Sequence, residues 1–140
     1  MFRCKPLAAA IFGLWTMLIW GQRLINIAND DLQGFELAWS TGRALAFVVV
    51  GAAVLIVVVK PVAPATMVRV VSVAAAVTIA LWSVQVVLIA LRDYSVGFIV
   101  VHAVLGVVSI GLAVWATRQA KRHDDAGTRR SGGATVAAGL

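Results

Sequence analysis

The sequence has few of the residues that most enzymes use for chemistry. Its 140 residues include one cysteine, two histidines, one tyrosine and only six acidic residues. A single cysteine can form neither an intrachain disulfide nor a Cys-x-x-Cys redox pair, which excludes thiol–disulfide oxidoreductases. No nucleophile, metal-ligand or nucleotide-binding motif is present, so the sequence predicts no enzymatic activity, no metal and no cofactor.

Charge is scarce as well, and it is unevenly placed. Only 13% of the residues are charged and 61% are hydrophobic, with a mean hydropathy of +0.96, whereas soluble domains are about 25% charged. Four apolar runs fill the chain: Leu7–Ile27, Leu37–Val59, Met67–Leu91 and Val96–Thr117. Each run is close to the roughly 20 residues that a helix needs to cross a bilayer. Since backbone groups in lipid must bond internally, the sequence predicts an all-α polytopic membrane protein whose main partner is the lipid bilayer.

Short connections separate the four runs. Pro61 and Pro64 end the second run and delay the third, and Ser95 is a suitable N-cap for the fourth. Short loops force neighbouring helices to run antiparallel, which predicts an up-down-up-down four-helix bundle. We therefore expect a transmembrane domain over residues 1–119. Residues 120–140 are rich in Gly, Ser and Thr and are expected to form a disordered basic cytoplasmic tail.

The distribution of charge predicts an orientation. Acidic residues dominate the first loop, whereas Lys and Arg gather before the first run, near the second loop and in the tail. The positive-inside rule then places both termini in the cytoplasm of a multi-pass plasma-membrane protein. The first run is interpreted as a retained span, since no small-x-small cleavage site follows it. The net charge of +6 is attributed to these membrane edges, so we expect anionic lipid at the tail and no nucleic acid.

Small residues at helical spacing predict which faces pack together, because close approach drives helix association in lipid. The predicted inward stripes are Ala9, Gly13, Thr16, Trp20 and Arg23 in the first run, Ser72, Ala76, Ala80 and Ser83 in the third, and His102, Gly106, Ser109 and Ala113 in the fourth. The second run has a weaker stripe and is expected to be the most lipid-exposed. These faces exceed what one bundle needs, which favours a homo-oligomer or a larger membrane complex.

Five polar residues lie inside the runs near the predicted outer surface: Arg23, Asn26, Arg43, Gln85 and His102. At about 1.5 Å of rise per residue, the two arginines, Gln85 and His102 fall roughly 7–9 Å below that surface. The structural interpretation is snorkelling arginines and interhelical hydrogen bonds. The functional interpretation is a binding site, because ionisable residues inside a membrane are candidates for function. An ion pair, Arg23 with Asp30 or Arg43 with Glu36, is expected to close this layer.

Two segments resemble a known group of proteins. The segments "LWTMLIWGQRLINIANDD" and "GFIVVHAVLGVVSIGLAVWATR", with the Ala/Val-rich composition, are similar to small uncharacterised four-helix membrane proteins of high-GC Gram-positive bacteria. The resemblance covers the four runs and excludes the tail. It implies a helical bundle in the plasma membrane and carries no activity with it.

Three functional interpretations follow. The first is a non-enzymatic accessory or scaffold subunit of a membrane complex. The second is a binding or transport module for a small anion, a lipid headgroup or a quinone-like ligand at the polar layer. The third is a lipid-modifying or quinone-linked enzyme with His102 as acid–base. Haem binding is not expected because the two histidines lie on opposite membrane sides, and no apolar run contains the embedded glutamate on which small multidrug exporters depend.

Overall fold

The computed structural model describes residues 7–137, with side chains described for residues 7–126. This part of the chain forms four helices: α1 over Leu7–Asn29, α2 over Gly34–Val59, α3 over Pro64–Ala90 and α4 over Val96–Ala137. Apart from the far end of α4, every helix begins and ends within three residues of its predicted run. All four are long and apolar enough to cross a membrane. The prediction of an all-α, four-span membrane protein is confirmed.

Local sequence explains where the helices begin. Gly34 opens α2 with a φ of 58°, a left-handed conformation that favours glycine. Pro64 stands at the start of α3, where the absence of an N–H removes no helical hydrogen bond. The Ser95 hydroxyl accepts a hydrogen bond from the Phe98 backbone N–H at 3.4 Å, as expected of an N-cap at α4.

The far end of α4 differs from the expectation. Residues 120–140 are predicted to be disordered, whereas α4 continues through Ala137. The segment that follows Trp115 contains many good helix formers, "ATRQAKRHDDA", which allow the helix to continue beyond the apolar run. Residues 138–140, at the end of the predicted tail, lie outside the described residues, as does the N-terminal basic segment before Leu7.

The helices follow chain order around the bundle. Each packs against the next and α4 returns to α1, with the most extensive interfaces between α1 and α2 and between α3 and α4. The Ala8 backbone N–H donates to Gln119 Oε1 at 2.9 Å, and Trp15 Nε1 donates to Ser109 Oγ at 3.0 Å. Residue numbers thus rise along α1 as they fall along α4, which is the pattern of antiparallel neighbours.

Two buried clusters divide the interior. The cluster toward the loop between α2 and α3 is built mainly from alanine and valine, with Phe12 its one aromatic member. The cluster toward the opposite end contains Trp20, Phe47 and Trp82 at its centre. Trp20 stacks on Phe47 with ring centroids 4.1 Å apart and meets Trp82 edge-on at 5.9 Å. Three helices therefore join at one aromatic contact.

Some predicted packing faces are correct and others are wrong. The predicted stripes of α1 and α4 are largely buried, from Ala9 to Trp20 and from Gly106 to Ala113. The predicted stripe of α3 is wrong: Ala76, Ala80 and Ser83 are exposed. The buried face of α3 lies one position away and comprises Val71, Ala74, Ala75, Thr78, Trp82 and Ile89.

The expectation that the second helix is the most lipid-exposed is also wrong. Only 17% of the 18-residue apolar stretch of α4 is buried inside the bundle, against 28% of the corresponding stretch of α2. The reason is the close crossing of α1 and α2, where a Cβ on Gly13 would lie 3.3 Å from the Gly51 carbonyl oxygen. Glycines at both positions let the two backbones meet.

Candidate functional site

A cavity of about 680 Å³ opens in the end of the bundle where α1 joins α2 and α3 joins α4, here called the loop-1 end. All four helices contribute to its wall. Its lining comprises Leu18, Ile19, Trp20, Gln22, Arg23, Asn26, Leu32, Phe35, Glu36, Trp39, Ser40, Arg43, Trp82, Gln85, Leu88, Ile89, Arg92, Tyr94, Phe98, His102 and Leu105. The volume falls within the range of about 300–1,000 Å³ that is typical of small-molecule sites.

All five residues of the predicted polar layer line this one cavity: Arg23, Asn26, Arg43, Gln85 and His102. Their convergence could not be read from periodicity, which gives no order of helices around a bundle. Their role in binding stays a prediction. Arg43 lies farther from the start of its helix than from the start of its apolar run: α2 begins at Gly34, so Arg43 lies about 13 Å from its helix end by helical rise.

Arg43 is held by aromatic rings. Its guanidinium carbon lies 5.7 Å from the centroid of Trp20 and 5.9 Å from that of Trp39. A guanidinium at such distances is attracted by the negative face of an indole ring. The rings fix the cation without occupying its N–H groups. Arg43 thus keeps donors available to a ligand while its position is set by α1 and α2.

Three buried polar atoms in the cavity lining have no hydrogen-bond partner among the described residues: Arg43 Nε, Trp82 Nε1 and Gln85 Oε1. Trp82 is only 2% exposed. Leaving such a group unpaired costs about 1–3 kcal/mol, and the large majority of buried polar groups in native proteins are paired. Two donors and one acceptor are therefore unpaired among the described residues, at the level of the aromatic contact.

A short stack of rings runs from the turn before α4 into the first turns of that helix. Tyr94 packs on Phe98 with centroids 4.5 Å apart, and Phe98 packs on the His102 ring at 4.0 Å. His102 Nδ1 lies 2.9 Å from the Phe98 carbonyl oxygen. A carbonyl oxygen only accepts, so a neutral His102 carries its proton on Nδ1 and keeps Nε2 as an acceptor.

Charges at the rim are mixed in sign. Arg23 Nη1 lies 3.6 Å from Asp30 Oδ2, with side chains 38% and 46% exposed, so the first of the two alternative ion pairs is present. Among the described residues of the cavity, Arg43 and Glu36 do not form the second pair. Exposed pairs are worth about 0–1 kcal/mol, and the Arg23–Asp30 contact therefore positions a side chain more than it stabilises the fold.

Arg92 adds a further cation at the rim, in the turn between α3 and α4. Its Nη1 donates a hydrogen bond to the Tyr94 hydroxyl oxygen at 3.3 Å. This hydrogen bond raises the pKa of the Arg92 guanidinium above its ordinary value. Three arginines and one glutamate line the cavity, so its lining is positive on balance and suits an anion.

Sequence reasoning missed the aromatic part of the site. Trp20 and Trp39 lie beside the guanidinium of Arg43, and Trp82 carries one of the unpaired atoms. Neither Trp39 nor Trp82 belongs to the polar layer that the sequence predicts. The available signal was the level of each residue along its helix, since Trp20 and Trp82 lie about as far from the loop-1 end as Arg43 does. Comparison of this chain with protein families, with curated proteins and with solved structures finds no match.

Proposed function

We propose that this small four-helix membrane protein is a binding module that holds an anionic ligand in the loop-1-end cavity. The observation that supports this function is the group of unpartnered buried atoms beside a fixed cation: Arg43 Nε, Trp82 Nε1 and Gln85 Oε1. An oxyanion is an acceptor that suits donors of both kinds, and a low-dielectric surrounding strengthens such hydrogen bonds. Binding requires no nucleophile or metal, in keeping with the expectation that the chain is not an enzyme.

The interpretation as an accessory or scaffold subunit remains the second candidate. It is favoured by the exposed face of α4. The apolar stretch of this helix is only 17% buried, and its exposed side chains include Val100, Val104, Val107 and Trp115. Such a face packs against lipid or against another protein. The two interpretations differ in what co-purifies with the chain, a small ligand or a stoichiometric protein.

Native mass spectrometry of the protein, purified from its native membrane in a mild detergent, tests the proposal. We expect the wild type to retain an anionic small molecule and the Arg43→Gln variant to lose it. Arg69→Gln is the matched control, because Arg69 is an exposed cation on α3 that does not line the cavity.

Two results would contradict binding in this cavity. One is a retained molecule whose occupancy is the same in wild type and Arg43→Gln. The other is an empty wild-type protein together with a stoichiometric protein partner, which would support the accessory-subunit interpretation. A thermal melt of each variant shows whether the fold has survived the substitution.

A further inference from the structure

The part of the cavity wall that lies as deep as Arg43 or deeper includes three aliphatic side chains. Leu18 and Ile19 of α1 and Leu105 of α4 line it, at about 13–17 Å from the loop-1 ends of their helices by helical rise. The hydrocarbon core of a bilayer is about 30 Å thick, so this part of the wall lies near the bilayer midplane. A small hydrophilic anion would leave these apolar side chains without a partner.

The exposure of Leu18 indicates that the cavity has a lateral opening in addition to the opening at the rim. Most exposed lining residues, such as Phe35 and Tyr94, lie close to a helix end, where exposure is expected. Leu18 lies eleven residues before the end of α1 and is nonetheless 69% exposed. A residue that lines a cavity and faces outward at this depth lies where the cavity reaches the lipid.

The neighbouring contacts place this opening between α1 and α4. The two helices are joined by the hydrogen bond from Trp15 to Ser109. On the loop-1 side of that bond, Leu18 and Gln22 of α1 and His102 and Leu105 of α4 line the cavity. Both Leu18 and Gln22 are exposed, so the gap is open toward the bilayer along one turn of α1.

We infer that the ligand is an anionic amphiphile, with carboxylate or phosphate oxygens at the donors of Arg43 and Trp82 and an apolar chain that leaves between α1 and α4 past Leu18 and Leu105. This inference rests on the proposed function, since it assigns a chemical class and an access route to the same cavity. The headgroup meets the unpartnered donors and the chain covers the apolar wall. Such a ligand reaches the site from the membrane and does not have to cross the charged rim.

A fatty acid probe tests both parts of the inference. The full chain is reconstituted in phosphatidylcholine nanodiscs and titrated with 5-doxyl-stearate, whose nitroxide quenches tryptophan fluorescence. We expect saturable quenching because Trp20, Trp39 and Trp82 line the cavity. Unlabelled stearate should compete for the site, and acetate, which has the same carboxylate without the chain, should not.

Matched variants test the route. Leu18→Phe narrows the opening and should weaken stearate binding about tenfold, a difference that corresponds to the loss of a well-packed chain contact. Leu14→Phe is the control, because Leu14 is 54% exposed on the same helix and does not line the cavity. Leu105→Phe, with the exposed Val104→Phe as its control, gives a second pair on α4 if Leu18→Phe fails to fold.

The possible failures are distinguishable. If acetate competes as well as stearate, and neither Leu18→Phe nor Leu105→Phe changes the affinity, the ligand is not an amphiphile. The proposal that the cavity binds an anion then still holds. If neither acid binds and Arg43→Gln behaves as the wild type does, the proposed function fails and the inference fails with it. Competition by stearate alone, lost in Leu18→Phe and kept in Leu14→Phe, supports the inference.

Discussion

Two buried threonines differ in how their hydroxyl groups are satisfied. The hydroxyl of Thr16 donates to the Phe12 carbonyl oxygen at 2.8 Å, the usual bond of a helical threonine to the preceding turn. The Thr78 hydroxyl oxygen is buried and has no partner among the described residues. An unpaired buried polar group costs about 1–3 kcal/mol, so the same side chain has opposite consequences at the two positions.

Replacement of each threonine by valine should therefore give opposite results. Thr78→Val removes an unpaired hydroxyl at nearly constant volume and should raise the free energy of unfolding by about 1 kcal/mol. Thr16→Val removes a satisfied hydrogen bond and should lower it by about 0.5–1.5 kcal/mol. Thermal unfolding in one detergent, followed by the loss of monodisperse protein on size exclusion, measures both. A destabilised Thr78→Val would show that its hydroxyl has a partner.

Arg43 shows what residue type alone can predict. Its position inside an apolar run marks it as a candidate, since intramembrane cations are rare and functional by default. Its depth and its two indole neighbours, Trp20 and Trp39, depend on where α2 begins and on how α2 is rotated. The start of α2 follows from the left-handed turn at Gly34, which hydropathy does not mark. The rotation of α2 is not encoded locally, because contacts with α1 set it.

At the scale of the helix, the crossing of α1 and α2 depends on two glycines. A Cβ at Gly51 would lie 3.2 Å from the Gly13 carbonyl oxygen and 3.1 Å from Met17 Cγ. Backbone cannot move aside as a flexible side chain can, so even a methyl group requires the two helices to separate. Gly42, on the same helix, has open space where its Cβ would be.

Gly51→Ala should thus destabilise the bundle by about 1–3 kcal/mol, the usual cost of overpacking, whereas Gly42→Ala should raise its stability by up to about 1 kcal/mol, because alanine is the better helix former. The comparison is made on thermal melts of both variants under the same conditions. Equal melting temperatures for Gly51→Ala and the wild type would mean that the glycine pair does not set the distance between α1 and α2.

The small-residue rule succeeded on α1 and α4 and failed on α3 for a physical reason. In α4 the small residues lie on one inward stripe, and Gly106 is pressed against the Trp82 ring at 3.0 Å from the position of an added Cβ. In α3 the run Ala74, Ala75 and Ala76 offers small residues on several faces. The rule then has no unique solution, and the large side chain of Trp82 determines which face turns inward.

At the scale of the molecule, the cavity follows from a difference in side-chain size between the two ends of the bundle. Alanines and valines fill most of the end near the loop between α2 and α3, where small side chains let helices approach closely. Tryptophan and phenylalanine are the largest members of the cluster at the other end, where the cavity lies. Spans and loops could be predicted from hydropathy, but this difference between the two ends could not, since it requires all four inward faces at once.

Orientation is the remaining prediction at this scale, and it decides which leaflet the cavity faces. Asp30, Asp31 and Glu36 lie at the loop-1 end, and Arg92 is offset there by Asp93. Lys60, Arg69 and the basic residues after Ala116 lie toward the opposite end. The positive-inside rule counts Lys and Arg near the spans and therefore predicts that the loop-1 end, with its cavity, faces away from the cytoplasm.

Reporter fusions measure this orientation. Alkaline phosphatase, which is active only outside the cytoplasm, should be active when inserted after Asp31 and inactive when inserted after Val62, in the loop between α2 and α3. A fluorescent protein that fluoresces only in the cytoplasm should be bright when it is fused after residue 140. The reverse pattern would place the cavity in the inner leaflet, and the amphiphile would then be drawn from cytoplasmic lipid instead of from the outer surface.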